Sequence, residues 1–195
     1  GLASGATLVT FDGNPTYPVP TRLADLIDSE EICLFGTSAK YIDAVHKAGV
    51  VPRNTHRMAN LRVVLSTGSP LLPESFDYIY RDWKPDIQLA SISGGTDICG
   101  CFLGGVPTLP VRRGELQAPM LGMALAAFDR DGQSVNNEPG ELVCLRSHPS
   151  MPIGFWNDPS GSQYQAAYFE RFGGVWTHGD FVEPRPSGGF VIHGR

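Results

Sequence analysis

The sequence has no apolar run that approaches the roughly 20 residues of a membrane-spanning helix. It also has no excess of positive charge, because its formal net charge is −5 at pH 7. That balance argues against nucleic acid or an anionic membrane as a partner. The opening segment, Gly1-Leu2-Ala3-Ser4-Gly5, lacks the basic and apolar regions of a secretory signal. We therefore expect a cytoplasmic protein that binds small molecules, with no membrane span and no nucleic-acid partner.

Cysteine is scarce, with four residues at positions 33, 99, 101 and 144. The pair Cys99-x-Cys101 has neither the two-residue gap of a zinc knuckle nor a second pair to complete a tetrahedral site. This spacing argues against zinc. We expect reduced, mostly buried thiols in an intracellular protein.

Two common phosphate-binding patterns are also missing. The sequence contains neither the lysine-bearing Walker loop nor a G-x-G-x-x-G motif, which argues against a P-loop NTPase and a Rossmann dehydrogenase. By contrast, 23 glycines and 16 prolines indicate many turns. A hydrophobic fraction of 42% and a charged fraction of 18% are typical of a folded soluble protein.

The first part of the chain alternates between strand-like and helix-like segments. The strand candidates are residues 6–11, 32–35, 61–65 and 87–92. The helix candidates are residues 20–27, a segment capped by Thr37 or Ser38, and residues 72–83. Continuous apolar strands that alternate with helices predict an α/β subdomain over residues 1–108, with a mostly parallel sheet flanked by helices.

After about residue 109 the pattern changes to short β segments separated by glycine-containing turns. The strand candidates are residues 123–128, 141–145, 175–177, 181–182 and 190–193. We expect no helix of any length in this part. Residues 109–195 are therefore predicted to form a β-rich subdomain, as a small antiparallel sheet or barrel.

Polar loops follow two consecutive strands of the predicted parallel sheet. They are Ser66–Pro70 and Ser93–Asp97, and ligands in such sheets lie beyond the carboxyl ends of the strands. The second loop ends in Thr96, a hydroxyl, and Asp97, a carboxylate suited to a hard cation. Asp180 and Arg195 add a polar pair far downstream. Together these residues indicate a nucleotide site, with phosphate and metal at one end and a sugar at the other.

Each candidate residue also has a plain structural alternative. Asp180 follows a glycine and could stabilise its own turn, and Arg195 could be solvated. Thr96 and Asp97 could cap a short helix. Either polar loop alone could be an ordinary turn.

Five stretches, in this order and spacing, are similar to motifs of the adenylate-forming superfamily, the acyl-CoA synthetases and their relatives. They are Thr67-Gly68-Ser69-Pro70, Gly94-Gly95-Thr96-Asp97, Gly140-Glu141-Leu142 with residues 154–159, Trp176-Thr177-His178-Gly179-Asp180 and Gly194-Arg195. The fourth resembles the Thr-Gly-Asp motif with one residue inserted. The resemblance covers essentially the whole chain.

The resemblance implies ATP and CoA as substrates and Mg²⁺ as a cofactor. The implied nucleotide-binding residues are Gly68, Ser69, Pro70, Ser93, Gly94, Gly95, Thr96, Asp180 and Arg195. The implied catalytic residues are Thr96, which contacts the α-phosphate, and Asp97, which holds the metal. Asp180 is implied to bind the ribose hydroxyls, and Arg195 the ribose or phosphate.

Within the superfamily, the chain most resembles the branch that activates acetoacetate, through Ser91–Gly100 and Phe11–Pro15. Acetate-activating relatives have a tryptophan where Gly94 stands, so the resemblance implies an acyl pocket at Gly94 and Gly95 with room for a four-carbon keto acid. Two alternatives remain open. One is a ligase for another acid, such as acetate, propionate or an amino acid, and the other is a nucleotide-binding module that does not catalyse.

Two further family elements do not occur in this sequence: a phosphate-gripping loop with a lysine, and a domain after the Gly-Arg hinge. We therefore expect the chain to be an internal fragment of the large N-terminal domain. On this interpretation its partners include the remaining parts of the parent enzyme, and the chain alone is inactive or nearly so.

Overall fold

The computed structural model describes residues 2–194. Within them, the α-helices are α1 (Arg22–Ser29), α2 (Ala39–Lys47), α3 (Pro73–Tyr78), which continues as a π-helical segment (Ile79–Trp83), and α4 (Ser162–Tyr168). Short 3-10 turns occupy Leu2–Ser4 and Pro52–Asn54. The strands are β1 (Leu34–Ser38), β2 (Val63–Thr67), β3 (Gln88–Ser91), β4 (Ser93–Gly95), β5 (Gly100–Gly104), β6 (Ala118–Pro119), β7 (Leu125–Phe128), β8 (Ser134–Val135), β9 (Gly140–Cys144), β10 (Trp176–Pro184) and β11 (Phe190–Gly194). Of the helices in residues 2–194, none combines the length and the apolarity that a membrane crossing requires.

The first three strands form a parallel sheet in the order β1-β2-β3. Leu34 pairs with Val63, and Val63 pairs on its other side with Gln88. The sheet and the helices around it share one apolar cluster, in which Ile42 of α2 and Val64 of β2 are fully buried. The prediction of a parallel sheet flanked by helices is therefore confirmed.

Helix α2 begins at a side-chain cap. The backbone N–H of Tyr41 donates to the Ser38 hydroxyl at 3.1 Å, and Ser38 has the extended backbone of an N-cap residue. Of the two candidate caps, Ser38 is therefore the one used. Thr37 lies within β1, opposite Ser66 of β2.

The later strands form two antiparallel sheets. One has the order β4-β5-β6, and the other has the order β11-β10-β9-β7-β8. The larger sheet is open, with β11 and β8 at its edges, so the predicted antiparallel sheet is confirmed but no closure into a barrel is seen in residues 2–194. A second apolar cluster lies here and includes Phe102, Leu142 and Trp176. Ile98 and Phe102 already belong to this second cluster, and a subdomain boundary at residues 108/109 stays a prediction.

Three expectations from the sequence are wrong. Residues 6–11 form no strand; they are exposed and have no described strand beside them, and β-prone residues need cross-strand partners to form a strand. A helix, α4, does occur in the β-rich part, where Tyr164 N–H donates to Asp158 Oδ2 at 3.0 Å near its start. The thiols are not mostly buried, because Cys33 and Cys99 are exposed and only Cys144 is fully covered.

The β4–β5 hairpin brings two backbones into contact at Gly94. A Cβ added at Gly94 would lie 2.0 Å from the Gly100 carbonyl oxygen and 2.6 Å from the Cys101 Cα. Both distances are far below a van der Waals contact, and both partners are backbone atoms. The hairpin therefore requires a glycine at this position for its own packing.

We expect Gly94→Ala to lower the free energy of unfolding by about 1–3 kcal/mol, because the new methyl group must push the hairpin apart. Gly36→Ala is the matched control, since Gly36 also lies in a strand and an added Cβ there meets nothing within 4 Å. Urea and thermal unfolding of both variants beside the wild-type protein measure the difference. Equal stability of the two variants would contradict this steric account.

Candidate functional site

A cavity of about 360 Å³ lies at the carboxyl ends of β2 and β3, where β10 and β11 approach them. Its lining residues are Thr67, Gly68, Ser69, Pro70, Ser91, Ile92, Ser93, Gly94, Asp180, Ile192 and Gly194. We call this the first cavity. It brings together six of the residues expected to bind nucleotide, which come from three separate stretches of the sequence.

Asp180 is the buried carboxylate of the first cavity, with 8% of its surface exposed. The Ser93 hydroxyl donates to Asp180 Oδ2 at 3.0 Å. His178 Nε2 lies 3.2 Å from the Gly94 carbonyl oxygen and 3.7 Å from Asp180 Oδ2. These contacts join β10 to β4, so the position of Asp180 depends on the loop that follows the parallel sheet.

A bulge in β10 carries Asp180. Thr177 pairs with Val143 of β9, and Phe181 pairs with Glu141, so three residues of β10 stand opposite a single residue of β9. Gly179, in the middle, has a φ of 89°, in the left-handed region that favours glycine. Bulges redirect side chains near functional sites, and this one interrupts the β9–β10 ladder at the residues that contact β4.

Thr96 and Asp97 line a second cavity of about 230 Å³. Its lining residues are Gly95, Thr96, Asp97, Ile98, Tyr168, Trp176 and His178. Gly94 lines the first cavity and Gly95 the second, so β4 borders both. The expected nucleotide and catalytic residues therefore form two neighbouring groups, and Arg195 lies outside the described residues.

The turn between β4 and β5 presents Asp97. The Cys99 N–H donates to the Thr96 carbonyl at 3.0 Å, and no helix follows, so Thr96 and Asp97 do not cap one. The Tyr168 hydroxyl donates to Asp97 Oδ2. Tyr168 in turn stacks on Trp176, with ring centroids 3.7 Å apart and planes 11° from parallel.

The donor set around Asp97 fits magnesium better than zinc. No group of three or more His, Cys, Asp or Glu residues in the described chain is arranged to hold a metal ion. Mg²⁺ needs no such group, because it keeps several waters and binds through one or two carboxylates together with substrate phosphates. Asp97, which is exposed and follows Thr96 in the sequence, has a carboxylate of the kind that could hold such an ion.

The histidines outside the two cavities have structural surroundings. Burial lowers the pKa of His148, which packs edge-on against Phe102 with ring centroids 5.7 Å apart. His193 Nε2 lies 3.0 Å from Glu183 Oε2, and this hydrogen bond lowers the pKa of the Glu183 carboxyl.

Burial also raises the pKa of the Cys101 thiol, which keeps it protonated.

Several residues of the site were not found from the sequence. Tyr168 lies on α4, the helix that the sequence analysis missed, and it approaches Asp97 only through the fold. His178 was visible as the extra residue beside the Gly-Asp pair, but its contact with Gly94 depends on the bulge. Ile92, directly after β3, and Ile192, in the middle of β11, line the first cavity as apolar residues without a distinct signal in the sequence.

Comparison with known proteins gives a family and close relatives. The sequence profile of a family described as AMP-binding enzyme matches residues 1–156. Over 195 residues, the chain is 57% identical to the acetoacetyl-coenzyme A synthetase of Rhizobium meliloti (strain 1021), covering 100% of this chain and 30% of that protein. It is 48% identical to the acetoacetyl-CoA synthetase of Xenopus tropicalis, covering 100% of this chain and 29% of that protein.

A solved structure, the acetoacetyl-CoA synthetase from Streptomyces lividans, matches the fold with a TM-score of 0.87 and 46% sequence identity. The match covers 94% of this chain and 29% of that structure. The chain thus spans about 30% of the length of the curated relatives named here. Since the family profile covers residues 1–156 of the 195, the chain belongs to the AMP-binding enzyme family.

Proposed function

We propose that the chain is the nucleotide-site part of an AMP-forming ligase that joins acetoacetate to CoA. One observation carries the proposal: Asp180, Ser93 and the Thr67–Pro70 loop line a single cavity at the carboxyl ends of parallel strands. The 57% identity to an acetoacetyl-coenzyme A synthetase supports the choice of reaction and acid. The substrates would be ATP, acetoacetate and CoA.

The reaction has two halves. The carboxylate of the acid attacks the α-phosphorus of ATP, pyrophosphate leaves, and an acyl-adenylate forms. The thiol of CoA then attacks the acyl carbon, and AMP leaves as the thioester forms. Because an anion approaches a polyanion in the first half, positioning and electrostatic stabilisation are the main requirements, and no protein nucleophile is needed.

In the first cavity, the residues would bind the nucleoside. The backbone of Gly68, Ser69 and Pro70 would pack on adenine, which the absence of a side chain at Gly68 permits. Asp180 would accept hydrogen bonds from the ribose hydroxyls, with Ser93 holding its Oδ2 in place. Arg195 would add a cationic donor to the ribose or phosphate.

In the second cavity, the residues would face the phosphates. Thr96 would donate its hydroxyl to the α-phosphate, and Asp97 would hold Mg²⁺ with Tyr168 fixing one carboxylate oxygen. When bound, the ion offsets phosphate charge during the attack. The acidic residue here is an aspartate, one methylene shorter than glutamate, and such a carboxylate can also reach the ion through water.

The acyl group would lie along β4. In this chain the β4–β5 hairpin leaves no room for a Cβ at Gly94, so the lack of bulk there has a structural cause as well as the proposed pocket role. A Cβ at Gly95 would lie 3.1 Å from His178 Cε1, so glycine there also has a packing reason. We propose that acetoacetate binds beside Gly94 and Gly95, where neither residue adds a side chain to the pocket wall.

We expect Asp180→Asn to weaken AMP binding to the full-length ligase by roughly 10-fold to 100-fold, because hydrogen bonds between the ribose and a charged acceptor are lost. Calorimetric titration measures the dissociation constant. The preference for AMP over 2′,3′-dideoxy-AMP should fall with it, since the missing hydroxyls are the proposed ligands. Asp43→Asn, at an exposed helix position paired with Lys47, is the control. An unchanged affinity in a folded Asp180→Asn protein would contradict the proposed ribose site.

We expect Asp97→Asn to act on magnesium rather than on the nucleoside. The affinity for ATP in the presence of Mg²⁺ should fall roughly 10-fold, because a charged ligand to the ion becomes neutral. The affinity for AMP without Mg²⁺ should stay as in the wild type. Calorimetric titrations with and without Mg²⁺ measure the two affinities separately. A fall in the affinity for AMP as well as for ATP would place Asp97 in the nucleoside site instead.

A substrate panel tests the choice of acid. The full-length ligase should use acetoacetate with a kcat/KM at least roughly 10-fold above that for acetate or propionate, because the lack of side chains at Gly94 and Gly95 leaves room for the larger acid. A preference for a different acid would support the ligase function and contradict the choice of acetoacetate as its substrate. If a folded protein that binds AMP converts none of the acids into a thioester, the result would favour a nucleotide-binding module that does not catalyse.

A further inference from the structure

Glu141 is a buried carboxylate to which the proposed reaction assigns no role. It lies in β9 with 6% of its surface exposed, among five consecutive buried residues. A buried carboxylate is costly unless it is paired and hydrogen-bonded. The contacts of the Glu141 carboxylate therefore indicate why it is buried at this position.

Both carboxylate oxygens of Glu141 accept hydrogen bonds. The Gly179 backbone N–H donates to Oε1 at 2.7 Å. Arg171 Nη1 donates to Oε2 at 2.5 Å. One oxygen thus holds the centre of the β10 bulge, and the other holds a guanidinium that also lies over the Phe172 ring, 5.1 Å from its centroid.

The contact with Gly179 replaces a hydrogen bond that the sheet cannot provide. Between the Thr177–Val143 and Phe181–Glu141 pairs, β10 has two more residues than β9. The N–H groups of the bulge therefore lose their regular ladder partners. The Glu141 side chain supplies the acceptor, and it does so at the residue directly before Asp180.

We propose that Glu141 is a positioning residue, which fixes the Gly179 peptide and thereby aims the Asp180 carboxylate into the first cavity. This inference rests on the proposed role of Asp180 in binding ribose. Glu141 touches no substrate on this account. It acts only through the backbone of the bulge, and its effect on nucleotide binding should therefore be the effect of misplacing Asp180.

The alternative is that Glu141 only neutralises Arg171. That explanation leaves the burial of the carboxylate unexplained, because the Arg171 side chain is 53% exposed and could be solvated. The two explanations predict opposite results for Arg171→Ala, which removes the ion pair and leaves the Gly179 contact in place.

The test uses the full-length ligase and two nucleotides, AMP and 2′,3′-dideoxy-AMP, titrated calorimetrically. Glu141→Ala should lower the preference for AMP over its dideoxy analogue roughly 10-fold, as expected when a hydrogen bond to a charged group is lost. Affinity for the dideoxy analogue should change little. Glu141→Gln keeps an acceptor oxygen, so it should retain most of the preference for AMP. Arg171→Ala should retain the full preference.

A double variant shows whether Glu141 acts through Asp180. When Glu141→Ala is added to Asp180→Ala, the preference should fall no further, because the carboxylate that Glu141 positions has already been removed. If Glu141→Ala does not fold, Glu141→Asp replaces it, since the shorter side chain withdraws the acceptor from Gly179 and keeps the charge. Thermal unfolding of each variant identifies those that are folded.

Two results would overturn the inference. One is that the folded Glu141 variants weaken AMP and dideoxy-AMP equally, which would indicate a general structural role. The other is that Arg171→Ala reproduces the loss, which would assign the effect to the ion pair. Neither result contradicts the ribose site if Asp180→Asn lowers the preference for AMP over dideoxy-AMP. If Asp180→Asn has no effect on that preference, the proposed function itself is overturned.

Discussion

The hydrogen bond between Ser93 and Asp180 is the contact on which the site depends. Its two residues are 87 positions apart in the sequence, one directly after the parallel sheet and the other in the open antiparallel sheet. Together with the contact between His178 and the Gly94 carbonyl, it joins the strand-end loops to β10. These loops and β10 form the walls of one cavity, and a carboxylate that is almost fully buried gains a donor inside that cavity.

Much of the fold could be predicted because its signals are local. Parallel strands such as β2 are continuous apolar runs, and the Ser38 cap precedes an amphipathic helix, so each is visible within a short window. The failures have the opposite cause. Residues 6–11 have strand-forming side chains but no described neighbour to pair with, and α4 has seven residues, too few for a helical period to stand out.

The site was predictable to the extent that it follows from topology. Carboxyl ends of parallel strands meet at one edge of a sheet, which is why the sequence could predict that the loops after β2 and β3 line one cavity. The contributions of Glu141 and Tyr168 could not be assigned in this way. Each acts through a contact that exists only once a bulge or a short helix has formed, and neither residue type is distinctive where it stands.

The bulge also provides a backbone contact directly beside Asp180. A carboxylate that binds sugar hydroxyls must compete with water, so it gains most when its position is fixed before the ligand arrives. Asp180 meets this requirement from both sides, through Ser93 at its side chain and through the Gly179 peptide that precedes it. A regular β10 strand would pair fully with β9 and leave no donor at Gly179 for Glu141 to hold. The irregularity in the sheet therefore provides an attachment point directly before Asp180, the residue that we propose binds the ribose.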